Sequence, residues 1–333
     1  MTDLGLLRGW FPIRLYWQDG RPMIDWCYLG ETRFTEPFFD QTIGAALRHP
    51  ANMLFRQQTP IETLGELHAA SPGLEPSGLI FHMSRCGSTL IAQTLAALPE
   101  QIALSEAAPI DMALRAHFRD PRIDDEQRAT WLRWLISAYG QRRSPDEQRY
   151  FIKLDSWHTL FLPLIRRVFP NTPWIFVYRD PIEVLVSHTR QRGPQVMPGV
   201  IEPQLLGLDL AAIMQLSLDE YCAMALARIC QAAADYQRHD PGLLLHYRQL
   251  PAAIWSILPA HVGVSYSAAD RERMQQAAQL DAKNPVLPFA DDTALKQRAA
   301  TDTLRQLAER WLEPVYQQLE ALRAAGSAAH EEQ

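Results

Sequence analysis

One stretch, Gly78 to Leu98, limits the fold of this chain more than any other. Gly78-Leu79-Ile80-Phe81-His82-Met83 is a short apolar run, as a strand covered on both faces requires. Ser84-Arg85-Cys86-Gly87-Ser88-Thr89 is a tight polar turn, and Leu90 to Leu98 is helix-forming. Strand, loop and helix in this order open a parallel α/β unit.

The alternation continues along the chain. Strands are expected at Ile102–Leu104, Tyr150–Leu154, Trp174–Tyr178 and Leu243–His246. Helices are expected at Ile110–His117, Glu126–Tyr139, Trp157–Val168 and Ile182–Arg190, with a long one over Leu208–His239. The fold class is therefore α/β: a three-layer P-loop-type fold with a central, mainly parallel sheet flanked by helices. A looser stretch, Asp281–Asp292, interrupts a helical C-terminal part. The 333 residues allow one large domain with additions. We divide them into an N-terminal extension (1–75), an α/β domain (76–325) and a disordered tail (326–333).

Within the extension, Pro12–Trp17 and Met23–Leu29 pair as strands around Gln18-Asp19-Gly20. Thr59-Pro60-Ile61-Glu62 reads as a capping box that starts a helix there and carries it to about Ala70. Gln191–Gln204, with its Gly and Pro content, reads as a loop near the mouth of the site. Arg192, Val196 and Met197 make it a candidate acceptor contact.

The turn at Ser84–Thr89 suits an anion. It presents backbone N–H groups at the positive end of a helix, and Gly87 allows close approach. Ser88 and Thr89 add hydroxyls, and Arg85 a planar fork of donors. It is no Walker A loop, because no Lys follows Gly87.

Phe81 to Leu90, FHMSRCGSTL, resembles the 5′-phosphosulfate loop of the sulfotransferases that use 3′-phosphoadenosine 5′-phosphosulfate (PAPS). That loop commonly reads P-[KR]-[ST]-G-[ST]-[TS]. Arg85 matches its catalytic cation, and Gly87, Ser88 and Thr89 match its glycine and hydroxyls. Ser84 departs from its Pro. Cys86 departs from its Ser or Thr, so Cys86 is given a backbone role only.

A second motif agrees. WIFVYRDPIEVLVS, Trp174 to Ser187, is a buried strand that ends at Arg179 and leads into a helix. The family holds the 3′-phosphate with an Arg at such a strand end and a Ser eight residues on. Arg179 and Ser187 have that spacing. The resemblance implies sulfuryl transfer from PAPS to an acceptor hydroxyl or amine, with adenosine 3′,5′-bisphosphate released and no metal needed. It points to the bacterial or tyrosylprotein-like branch. In that branch a base Glu stands a similar distance beyond the loop cation as Glu106, which lies 21 residues after Arg85. Asp155 is the second candidate base. Lys153-Leu154-Asp155 matches the Lys of another branch's Lys-x-His element and puts Asp at the His position. Lys153 lies inside an apolar strand, so its ammonium needs a partner, such as the transferring sulfonate, or a route to water. Tyr247 matches an adenine-side Tyr, and Lys283 stands where relatives place a basic 3′-phosphate contact.

Composition fits this reading. A net charge of -6 gives no support for a general nucleic-acid binder. No apolar run is long enough to span a bilayer, and no C-x-x-C pair suggests zinc or a redox dithiol. The expected location is the cytoplasm, and the expected partner a small-molecule, peptide or glycan acceptor. A Mg²⁺-dependent phosphotransferase using Asp155 or Asp180, and a non-catalytic nucleotide-binding protein, are the competing readings.

Overall fold

The computed structural model describes residues 4–288 and 292–331. The N-terminal residues form an antiparallel sheet in the order β1-β2-β3: Trp10–Gln18, Arg21–Tyr28 and Gln57–Pro60. Asp19 and Gly20 make the two-residue turn between β1 and β2, both at positive φ, +50° and +75°.

The main sheet has five strands: β4 (Gly78–His82), β5 (Gln101–Ser105), β6 (Arg149–Lys153), β7 (Trp174–Tyr178) and β8 (Leu243–His246). Their order is β5-β6-β4-β7-β8, and every pairing is parallel. All residues of β4, β5 and β7 are buried, as their apolar runs require. The chain leaves the central strand β4 toward β5 and β6 on one side, then crosses to β7 and β8 on the other. Open α/β sheets bind ligands at the carboxyl ends of strands where the winding reverses. Here β4 and β7 are neighbours, with His82 opposite Val177, so the segments after both strands meet at that edge.

The extension is packed onto this body. Tyr139 Oη donates to the Pro12 carbonyl at 2.7 Å, and Phe34, Phe39 and Tyr139 form an aromatic cluster. Arg33 Nη2 donates to the carbonyls of Ala96, Leu98 and Gln101. Buried Arg143 lies over the rings of Phe11 and Phe34 and pairs with Glu147.

Several local expectations fail, each for a physical reason. Thr59 caps no helix: it lies in β3, opposite Ile24, and its hydroxyl accepts from Trp26 Nε1 at 2.9 Å. Strand pairing there overrides the local signal, and the helix Glu62–Ala70 starts without a side-chain cap. The helix expected from Trp157 opens as a 3₁₀ turn, Ser156–Phe161, before the α-helix Leu162–Val168. Pro163 lacks an N–H and so sits in that helix's first turn. The expected Leu208–His239 helix is two, Leu210–Gln215 and Leu218–Gln237, because the Ser217 side chain accepts from the Glu220 N–H and caps the second. The loose stretch contains a short hairpin, Leu280–Asp281 with Asn284–Pro288, and residues 289–291 lie outside the described residues. The C-terminal stretch read as a disordered tail is helical through Glu331, in the helix Glu313–Glu331; residues 332–333 lie outside the described residues. Among the described residues, no helix is long and apolar enough to cross a membrane.

Candidate active site

At the carboxyl edge of the main sheet lies a cavity of about 400 Å³. The segment after β4 forms its floor. Ser84, Arg85 and Gly87 all hold positive φ, at +82°, +53° and +90°. A non-glycine residue pays roughly 1–3 kcal/mol for this backbone, and it persists where the surroundings enforce it. Gly87 immediately precedes the helix Ser88–Ala96. A Cβ on it would lie 2.7 Å from Leu250 and 3.0 Å from Tyr247, so a side chain is excluded on steric as well as conformational grounds.

Arg85 leaves this turn and donates through Nε to Ser187 Oγ at 2.7 Å. Ser187 is buried on the helix Pro181–Arg190 that follows β7. Arg179, at the end of β7, lies over the Tyr247 ring at 3.7 Å and donates to Glu183 and to Asp292, the latter at 2.7 Å. Asp292 also pairs with Lys296 at 2.8 Å. Lys283 lines the same space, 5.7 Å from the Phe38 ring. Although Lys283 is exposed as a residue, desolvation of its ammonium and repulsion by Arg85 and Lys153 lower its pKa to about 8.

The carboxylates stand across the cavity. Glu106 follows β5 at φ +55°, and its N–H donates to the Lys153 carbonyl at 2.8 Å. Its Oε1 accepts from the buried Lys153 ammonium and lies 3.4 Å from His82 Nε2. Burial opposes the charge, but Lys153 and then His82 outweigh it and hold Glu106 well below the usual carboxylate range. Asp155 lines the cavity after β6, with His158 Nε2 at 3.6 Å and shared with Asp111 at 3.1 Å. Burial raises Asp155 to about 7; Glu106 and Asp111 add to the rise, and His158 and Lys153 oppose it.

Arg85, Cys86, Gly87, Ser88, Thr89, Glu106, Asp155, Arg179, Ser187, Tyr247 and Lys283 therefore all border one cavity. Lys153 is the exception: it sits behind Glu106, and its ammonium is taken up by that carboxylate instead of facing a sulfonate. The Cys86 thiol points away, donating to the Val177 carbonyl at 3.1 Å. Asp180 caps the helix Pro181–Arg190 by accepting from the N–H groups of Ile182 and Glu183, and does not border the cavity. In the 191–204 segment the polar part, Gln191 to Gln195, lines the cavity. Val196 is buried in the core, and exposed Met197 does not border the cavity. The apolar acceptor contacts expected there are absent.

Sequence reasoning missed Phe38, His82, Gln195 and Lys296. His82 had a signal, as the one polar residue in an apolar strand. Lys296, four residues after Asp292, had a weak one. Gln195 fell in the 191–204 loop expected near the site but was not singled out within it, and Phe38 had no signal, since only long-range packing brings it in.

A model of the sulfotransferase family matches residues 79–250, just over half of the 333 residues. Similar solved structures include the sulfotransferase domain from the curacin biosynthetic pathway, at 16% identity over 77% of this chain and 98% of that one, with a TM-score of 0.44. A sulfotransferase from Mycobacterium avium shares 16% identity over 83% of each chain, with a TM-score of 0.45. Retinol dehydratase in complex with retinol and PAP shares 14% identity over 78% of this chain and 89% of that one, with a TM-score of 0.35. A comparison with curated proteins finds no match. The family match spans both strand-end motifs, and on that ground the chain belongs to the sulfotransferase family and is a transferase enzyme.

Proposed function

We propose that this sulfotransferase takes its sulfuryl group from PAPS, passes it to an acceptor hydroxyl or amine, and releases adenosine 3′,5′-bisphosphate. The observation that carries this reading is the 2.7 Å contact between Arg85 and Ser187. It joins the loop that would hold the 5′-phosphosulfate to the helix that would hold the 3′-phosphate. A nucleotide with anionic groups at both ends of one ribose suits that arrangement. Arg179, Lys283 and Lys296 supply further positive charge, and Tyr247 a flat ring beside it.

In the reaction the acceptor oxygen or nitrogen attacks sulfur in line, and the bond from sulfur to the 5′-phosphate oxygen breaks. Positioning and charge stabilisation dominate in such transfers. Arg85 offsets the charge that grows on the leaving phosphate. Glu106 takes the acceptor's proton. Lys153 and His82 engage its Oε1, which leaves Oε2 for the acceptor, and its side chain is more exposed than that of Asp155, 22% against 11%. Lys153 is thus a positioning residue for the base. Phe38 and Trp157 offer apolar surface to a small acceptor. Asp155 is the second base candidate. All four cysteines are free and buried, which supports a reducing compartment such as the cytoplasm.

The test is transfer of label from PAPS to a panel of phenols, alcohols, amines, glycans and tyrosine peptides. Label in at least one product is expected. Binding of the bisphosphate with no transfer across the panel would favour a non-catalytic binding protein.

A further inference from the structure

The turn that carries Arg85 is held by a residue outside it. Ser84 is buried at φ +82°, a conformation closed to proline, whose ring fixes φ near −65°. Two bonds pin it there. Its N–H donates to His82 Nδ1 at 3.0 Å, and its Oγ accepts from Gln195 Nε2 at 2.5 Å. Gln195 is itself buried and borders the cavity.

The segment bearing Gln195 is built to present that amide. Val196 is fully buried and anchors the 3₁₀ turn Pro194–Val196. The Gly193 N–H donates to His188 Nδ1 at 3.4 Å, on the helix that bears Ser187. A Cβ on Gly193 would lie 2.5 Å from Gln195 Oε1 and 2.8 Å from Nε2. Glycine there leaves the space the amide fills. The 191–195 segment is thus tied to the phosphate loop through Gln195 and to the Ser187 helix through His188.

We infer that Gln195 is a positioning residue for the sulfuryl donor: acting through the Ser84 hydroxyl, it holds the left-handed turn that aims Arg85 and the loop N–H groups at the donor's 5′ end. This rests on the PAPS reading above. It assigns the 191–195 segment to the donor rather than the acceptor. A turn freed from Gln195 regains backbone freedom that donor binding must remove again, so donor affinity falls.

The experiment measures the Kd of adenosine 3′,5′-bisphosphate by calorimetry and the KM of PAPS and of acceptor, for wild type, Gln195→Ala, Ser84→Ala and the double variant. Each single variant is expected to raise the bisphosphate Kd and the PAPS KM by about five- to twentyfold, from loss of one buried hydrogen bond, with the acceptor KM unchanged. The double variant is expected to be no worse than either single one, because both remove the same contact. Ser84→Ala removes that bond while leaving the Gln195 side chain itself unaltered, so it carries the test if Gln195→Ala fails to fold. Unchanged Kd and PAPS KM in the single variants, or additive effects in the double, overturn the inference and leave the PAPS reading standing. A wild type that does not bind the bisphosphate overturns both.

Discussion

Glu106 and Asp155 face the same cavity from opposite electrostatic surroundings. Lys153 and His82 keep Glu106 ionised at any ordinary pH, whereas burial brings Asp155 to about 7. The sign of the pH dependence therefore separates them. A base already ionised at low pH keeps its capacity as pH falls, so with Glu106 as base the acceptor kcat/KM at saturating donor holds between pH 8 and pH 6. In that window Lys283, at about 8, affects donor binding instead. With Asp155 as base, protonation below about 7 would remove it, and kcat/KM would fall about tenfold per unit. Glu106→Gln keeps the shape but cannot take a proton, and is expected to lower kcat by about 10²–10⁴-fold with bisphosphate binding little changed. Should Asp155→Asn show that loss while Glu106→Gln does not, the two roles exchange. Both carboxylates were legible in the sequence as polar residues just past apolar strands. The Lys153–Glu106 pair was not, since it depends on β5 and β6 being neighbours.

Among the elements, the strand–loop–helix units were readable because their apolar runs are buried on both faces and allow no other use. The failures were local signals overruled by tertiary pairing, as at Thr59, or breaks made by one side chain, as at Ser217. The phosphate loop was readable as a turn, but not its conformation, because Ser84 and Arg85 at positive φ bond distant partners, Gln195 and Ser187, as well as the nearby His82. Gly87 tests the loop as an element. Gly87→Ala adds a Cβ at φ +90° within 2.7 Å of Leu250 and 3.0 Å of Tyr247. Leu250 or the loop must shift to admit it, and the left-handed backbone is strained in either case, so bisphosphate affinity is expected to fall at least tenfold, with about 1–3 kcal/mol of stability lost. Chemical denaturation and calorimetry measure the two effects, and normal affinity in this variant would show that the loop does not cradle the nucleotide.

At the scale of the whole molecule, residues 1–75 read as an addition, yet they share a core with the α/β body. Phe11, Phe34 and Phe39 are buried with Tyr139, and Phe38 reaches the cavity. This docking was not readable in advance, because aromatic residues spread over a strand, a loop and a helix start share no periodic signal. We propose that the extension and the body fold as one unit. A fragment of 76–333 would uncover Trp131, which packs against Trp17, and Tyr139, which packs against Phe34 and Phe39; both are buried in the full chain. It is expected to aggregate or to melt without a cooperative transition, and a fragment with a sharp melt near that of the full chain would show two independent units.

The central claim is that the cavity recognises a nucleotide by its 3′-phosphate as well as its 5′ end. Binding of adenosine 3′,5′-bisphosphate and of AMP, measured by calorimetry on the same preparation of wild type and Arg179→Ala, tests it most directly. The account predicts a clear preference of wild type for the bisphosphate, about tenfold or more for one charge-assisted contact, and its near disappearance in Arg179→Ala. Equal affinity of wild type for the two nucleotides would contradict it.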